Sequence, residues 1–145
     1  MKSDSKAVRD YYACLLNSPK YKESRKEKAD VVLHVVGEQL QRANQVADIG
    51  AGTGIMKKEL EMKIGKSIVG IEIDRSTILD TDRMIVADGC QLPVRTGQVD
   101  VALLNHVYEH TNDVTALFAE TWRVLRPGGI AYVSAGSRWA VMEPH

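Results

Sequence analysis

Three clusters of residues in this sequence have types and spacings suited to chemistry. The first is Val46-Ala47-Asp48-Ile49-Gly50-Ala51-Gly52-Thr53-Gly54, where an acid sits in an apolar run that ends in three alternating glycines. Glycines in such a turn let the backbone approach a ligand that a side chain would hold off. The start of a following helix offers unpaired N–H groups and the positive end of its dipole, which suits a nucleotide-like ligand. Asp48 is costly in a buried strand unless something pairs with it, and a ligand ammonium would do so. The second cluster is a pair of later acids, Glu72 and Asp88. A carboxylate at the end of a second strand can accept hydrogen bonds from both hydroxyls of a ribose. The third is Asn105-His106-Val107-Tyr108-Glu109-His110, in which the histidines stand four apart and would share a face on a helix. They could ligate a metal, act as general base on an acceptor hydroxyl, or make structural hydrogen bonds. The sequence places no third ligand beside them, so no metal site is assigned.

Plain alternatives stand beside each reading. The glycines could only reverse the chain, Glu72 could be a solvated strand end, and Asp88 could be a turn residue that bonds its own backbone. A dinucleotide fingerprint does not fit, because Ile55 stands where G-x-G-x-x-G needs its last glycine.

These residues need elements to hold them. Val46–Ile49 reads as a buried parallel strand, and Ile55–Ile64 as a helix with Met56, Leu60 and Ile64 on one face and Gly65 as its C-cap. A second strand is expected over 67–73. The stretch before the third, 84–87, is too short for a full crossover helix, so one helical turn, for which Asp74 could be the cap, or irregular structure is expected there. A fourth strand covers 98–104, with Asp100 in a structural role. A helix capped by Asn112 or Asp113 follows, with Val114, Leu117, Phe118, Thr121 and Leu125 in register and Trp122 widening the stripe. Arg126-Pro127-Gly128-Gly129 stops it, and 130–133 is the fifth strand. Upstream, a helix over 5–17 carries Val8, Tyr11, Tyr12 and Leu15. Ser18-Pro19 breaks it, and a second helix from about Glu23 to Gln41 buries Ala29, Val32, Leu33, Val36 and Leu40.

The chain has 145 residues, enough for one domain with a real core. Its 19 basic and 19 acidic residues balance, which leaves no broad electrostatic footprint for nucleic acid or an anionic membrane. The basic run from Lys20 to Lys28 is interrupted by Glu23 and Glu27 and reads as a solvated helix face. No apolar stretch is long enough to span a bilayer, and no secretory h-region opens the sequence. Cys14 and Cys90 lack metal spacing and read as free thiols of a cytoplasmic protein; nothing adjacent in sequence would activate Cys90.

Val46–Gly54 resembles motif I of the class I S-adenosylmethionine (SAM) dependent methyltransferases, an acid followed by G-x-G-x-G. Val69-Gly70-Ile71-Glu72-Ile73-Asp74 resembles motif II, with Glu72 where aspartate is usual, and Asp88-Gly89-Cys90-Gln91-Leu92-Pro93 resembles the loop after the third strand. Gln98–Leu104 resembles the F-D-x-V strand, with Val99 in place of the aromatic. Glu120-Thr121-Trp122-Arg123-Val124-Leu125-Arg126-Pro127-Gly128-Gly129 resembles the E-x-x-R-V-L-x-P-G-G signature of the ubiquinone and menaquinone methyltransferases. The resemblance implies a Rossmann-like α/β sheet in the order 3-2-1-4-5 with helices on both faces. It also implies an N-terminal helical cap (1–44), in which Tyr11, Tyr12 and Tyr21 could line a lid or simply pack, over a SAM-binding core (45–145). SAM is the implied cofactor and S-adenosylhomocysteine its product. Asp48, Gly50, Ala51, Gly52, Gly54 and Glu72 are the implied contacts. Asp88 would accept from the adenine amino group, Gly89 or Cys90 would donate to a ring nitrogen, and Asn105 with His106 would face the methionine part and the acceptor. His106 and His110 are the catalytic candidates.

The implied reaction is methyl transfer to a small-molecule, lipid or sugar acceptor; no NPPY-like tetrapeptide follows the fourth strand, which argues against DNA-base amines. The alternative is a non-catalytic SAM-binding or assembly subunit. The family's last two strands, a 7-6 hairpin, have no counterpart here, so the edge of strand five is expected to be covered by a second copy or by the C-terminal tail.

Overall fold

The computed structural model describes residues 5–136, with five strands, four α-helices and two 3-10 turns among them. Helix α1 (Ser5–Leu16) ends before Ser18, and α2 (Pro19–Arg42) begins at once. This start is earlier than the expected Glu23. Proline does end the preceding helix, but its fixed φ also suits the first position of the next. Ser18 caps α2, its side chain accepting from the Tyr21 N–H at 3.4 Å. The side chains of Val8 and Tyr12 lie outside the described residues, and Tyr11 is exposed.

The sheet is parallel throughout. Strands β1 (Val46–Ile49), β2 (Val69–Glu72), β3 (Met84–Val86), β4 (Val99–Asn105) and β5 (Leu125–Ser134) lie in the order β3-β2-β1-β4-β5, as expected. One face packs on α2 and α3 (Ile55–Ile64): Ala29, Val32, Val36 and Leu40 meet Met56, Leu60, Val46, Val101 and Leu103. The other packs on α4 (Val114–Val124), where Leu117 and Val124 meet Ala47, Ile49, Ile71, Ala102 and Leu104. Only one 3-10 turn, Arg75–Thr77, links β2 to β3, with Asp74 as its cap. No helix is available to cover β3 from that connection, and Ile73, Ile85 and Val86 stay exposed.

Two expectations about α4 change. Trp122 does not widen the buried stripe; it is 81% exposed. Leu117, Thr121 and Val124 hold the sheet side, while Val114, Phe118 and Trp122 form an i, i+4, i+8 row that turns outward. Leu125 leaves the helix and opens β5, pairing with Val99. The register then slips between Val99 and Val101, and Arg126 to Gly129 takes up the slack. A Cβ at Gly129 would lie 3.1 Å from the carbonyl oxygens of both Val99 and Asp100, so the bulge needs its glycine.

The Glu120–Arg123 pair ties α4 to the loop after β3. Arg123 grips Glu120 through Nε (2.6 Å) and Nη2 (2.8 Å), and donates to the carbonyls of Leu92 and Val94. Glu120 accepts in turn from the Leu92 N–H at 2.7 Å. Asp100 has the structural role expected of it, accepting from the backbone N–H groups of Asn44 and Gln45 and pairing with Arg126. The bond to Arg123 holds the Glu120 carboxyl down at about 2, with the Leu92 N–H also lowering it against a desolvation cost. Its stabilising contribution is therefore complete above the ordinary glutamate value and disappears as pH falls through about 2. Arg123→Ala should cost on the order of 2 kcal/mol in urea unfolding at pH 7. Glu120→Gln should cost less, and its deficit should shrink in unfolding measured near pH 2.

Candidate functional site

The site lies at the carboxyl ends of β1, β2 and β4, where the open sheet changes direction around its first strand. Gly50, Gly52 and Gly54 all have positive φ, at 73°, 56° and 82°. The N–H groups of Gly50 and Ala51 both donate to the Ile71 carbonyl, which anchors the loop to β2. The three glycines differ in purpose. A Cβ on Gly50 would strike Val107 at 2.6 Å, and one on Gly54 would meet the Asp80 carbonyl at 3.0 Å. A Cβ on Gly52 would meet nothing within 4 Å, so the protein keeps open space before it.

Two adjoining hollows flank the loop, of about 390 and about 300 Å³. Gly50, Gly52, Glu72, His106 and His110 border both. Asp48, Ala51 and Asn105 border the first, and Asp88 and Gly89 the second. Gly54 and Cys90 border neither; Gly54 caps α3 instead. The second hollow is closed by apolar Ile49, Ile71, Val107 and Leu117, walls suited to the flat faces of a base.

Asp48 is 1% exposed, and neither of its carboxylate oxygens has a hydrogen-bond partner. Burial pushes it up to about 7; Lys57 pulls it down and Glu72 pushes it up further. Lys57 is itself fully buried and pairs with Glu61 at 3.1 Å. Its stem runs across Gly70, where a Cβ would lie 3.0 Å from the Lys57 Cδ. Lys57 is not among the residues expected from the sequence, yet its signal is there: it stands three residues before Leu60 and seven before Ile64, on their face.

Glu72 accepts from the Gly52 N–H at 2.8 Å and the Asp74 N–H at 3.1 Å. Asp88 is exposed and accepts from the Cys90 N–H at 2.8 Å, an Asx turn at the rim of the second hollow. His106 and His110 are not on one helix. His106 follows β4 with φ 57°, and a 3-10 turn, Tyr108–His110, comes after it. They converge on the hollows because the chain bends sharply, not through helical spacing. The His106 Nδ1 lies 3.6 Å from Glu109. Asn105 donates to the Met56 sulfur at 3.1 Å and accepts from the Ser134 hydroxyl. From α2, Tyr21, Arg25 and Lys28 also border the first hollow. The Tyr21 hydroxyl bonds the Thr53 hydroxyl of the glycine loop at 3.1 Å, and Arg25 stacks on its ring at 4.7 Å. Among the described residues no group of three His, Cys, Asp or Glu side chains is placed to hold a metal ion.

A glycine loop under a buried acid, on a five-stranded parallel sheet in this order, defines a class, and comparison with known proteins agrees. A family described as "Methyltransferase domain" matches residues 47–133. The chain belongs to this family, the class I SAM-dependent methyltransferases. An "Uncharacterized methyltransferase" of Mycobacterium sp. (strain KMS) is 36% identical over 95 residues, covering 61% of this chain and 37% of the relative. A malonyl-[acyl-carrier protein] O-methyltransferase 1 of Coxiella burnetii is 29% identical over 103 residues, covering 69% and 36%. The chain thus spans little more than a third of these curated relatives. In fold it resembles a SAM dependent methyltransferase of Archaeoglobus fulgidus (TM-score 0.67, 17% identity, 78% of this chain and 54% of that one). It also resembles the [4+2]-cyclase SpnF (TM-score 0.63, 20% identity, 73% and 43%).

The residues present suit the family's cofactor: a partnerless buried carboxylate for an ammonium, open space before Gly52, and two acids bordering the hollows. Because folded Asp48 titrates near 7, it keeps a proton that the unfolded chain releases from about pH 4 upward. Stability should therefore fall between those values, by on the order of a few kcal/mol, and level off above 7. Asp48→Asn removes this dependence. Its melting temperature, compared with wild type, should gain most at pH 8 and least at pH 4 in a calorimetric series.

Proposed function

We propose that the chain binds SAM in the paired hollows and transfers its methyl group to a small-molecule, lipid or sugar acceptor. The observation that carries this is Asp48, whose two oxygens are buried without a partner beside the open space at Gly52. In this reading Asp48 takes the ammonium, the loop Gly50-Ala51-Gly52 lies along the amino-acid part, and Glu72 exchanges its loop contacts for the ribose hydroxyls. Asp88 and the N–H groups of Gly89 or Cys90 read the adenine edge. Gly54 supports the loop from behind. The bound sulfonium supplies an already activated methyl group, so the protein's work is alignment and exclusion of water. Asn105 faces the donor and acceptor, and His106 or His110 takes the acceptor proton. Residues 1–44 act as a cap, with Tyr21 of α2 locked to the loop, over the core 45–145. The free thiols of Cys14 and Cys90 fit the cytoplasm as its compartment. No helix among the described residues is long and apolar enough to cross a membrane.

A second reading has one observation in its favour. The same fold carries the [4+2]-cyclase SpnF, so sheet and cleft do not entail methyl transfer. Under it the chain binds SAM or S-adenosylhomocysteine without catalysis. Calorimetric titration with SAM, then a screen of hydroxyl, carboxyl and amine acceptors, separates the two. SAM should bind and one acceptor class should gain label from the methyl-labelled donor. Gly52→Val should abolish binding and Glu72→Ala should weaken it; wild-type affinity in Gly52→Val would refute the placement.

Among the described residues β5 has a neighbour on one side only. Pairing of this edge with a second copy belongs to the same proposal. The tail 137–145, the other expected cover, lies outside the described residues. Sedimentation should show a dimer at micromolar protein, and Val133→Lys on β5 should shift it to monomer.

A further inference from the structure

The chain leaves β4 through a strained residue. Among the described residues only two non-glycine residues have a positive φ, Arg83 and His106, and His106, at 57°, borders both hollows. Such a conformation persists only where the surroundings hold it. Two contacts hold this one. The His106 N–H donates to the Ser134 carbonyl at 2.9 Å, at the end of β5. Its imidazole Nδ1 faces the Glu109 carboxylate at 3.6 Å. Glu109 is fixed in turn, because the same oxygen, Oε1, accepts from the Gly136 N–H at 2.5 Å. A Cβ on Gly136 would lie 3.4 Å from that oxygen and 4.0 Å from the His106 Nδ1. The exit of β4, the 3-10 turn and the exit of β5 therefore converge on one edge of one imidazole.

A carboxylate at Nδ1 selects the tautomer that carries its hydrogen there, which leaves Nε2 as a proton acceptor. It also steadies the imidazolium that forms when Nε2 takes a proton. The 3.6 Å separation is longer than a hydrogen bond, and contacts of this kind tighten when reactants bind. His110 lacks such a companion: among the described residues no hydrogen bond or ion pair holds its side chain. A base of this kind also says something about the acceptor. A carboxylate or thiolate arrives ionised and needs none. A neutral amine attacks through its lone pair and can shed its proton afterwards. A hydroxyl must give up its proton as its oxygen takes the methyl group.

We infer that His106, and not His110, is the catalytic base, that Glu109 is its positioning residue, and that the acceptor group is a hydroxyl. This rests on the proposed SAM reading. In the step, the acceptor oxygen forms a bond to the methyl carbon while the carbon–sulfur bond breaks, and its electron pair returns to sulfur. The hydroxyl proton passes to the His106 Nε2, and the imidazolium is balanced by Glu109.

The test has two readouts on the full chain at pH 8. The first needs no acceptor: nitrogen-15 spectra of the histidine rings with S-adenosylhomocysteine bound. His106 should carry its hydrogen on Nδ1, and Glu109→Ala should lose that preference while binding S-adenosylhomocysteine as wild type does, which shows that the variant is folded. The second is transfer from methyl-labelled SAM to phenol, which is still protonated, and to 4-nitrophenol, which is already ionised. His106→Ala should lower kcat for phenol by about a hundredfold or more and spare 4-nitrophenol. Glu109→Ala should lower kcat for phenol by about tenfold or more with KM unchanged, and Glu109→Asp should restore part of it. The inference is wrong if the wild-type hydrogen sits on Nε2, if His106→Ala slows both phenols alike, or if neither phenol gains label. Each of those results leaves the SAM reading standing so long as S-adenosylhomocysteine binds. If wild type does not bind it, the SAM reading fails and this inference with it.

Discussion

The structure depends on an acid held almost out of reach of water. Asp48 sits in the central strand, between neighbours on both sides, and the apolar layers of both faces close around it. A lone carboxylate there would be far too costly. Lys57 answers it from α3, and Glu61 in turn holds Lys57. The helix after the loop is therefore tied to the strand before it by charge as well as by packing. Gly70 clears the way on β2 for the lysine stem. The result is a carboxylate balanced enough to fold but left without a direct hydrogen bond, in a state that a cationic ligand group would complete.

The glycine loop turns that arrangement into a site. Its three positive-φ residues face three ways: Gly50 toward Val107, Gly54 toward Asp80, and Gly52 toward empty space. The loop's N–H groups are partly spent on the protein itself, through Ile71 and Glu72. Glu72 thus plays two parts. It steadies the loop, and it borders both hollows at their junction. Behind the second hollow, the Glu120–Arg123 pair fixes the segment that follows Asp88, so a contact distant from the cleft helps to set the shape of that hollow's rim.

Much of this was legible in the residues. The strand–glycine–helix unit and the short link before β3 follow from spacing that is local, and the order of the five strands follows from the family those motifs resemble. The E-x-x-R pair was legible as a helical i, i+3 contact, but its reach to Leu92 and Val94 was not, because backbone carbonyls leave no mark in a sequence. Trp122 was misplaced because a helical stripe says which residues share a side and not where the partner surface ends. Only one flank of α4 meets the sheet. The start of α2 lies earlier than the apolar spacing implies, because Pro19, which stops one helix, also suits the first position of the next.

The sequence by itself determined the class of fold and the chemical types gathered at its heart, since alternation, glycine spacing and capping residues act over a few positions. Tertiary structure decided which buried polar atoms are left without a hydrogen bond. Asp48 and Arg25 lie on separate elements, and only the docking of α2 over the sheet brings them to one hollow. It also decided that His106 and His110 reach the same hollows by a sharp bend after β4 rather than on a helix. Burial and pairing are properties of what surrounds a residue, and that surrounding comes from distant parts of the chain.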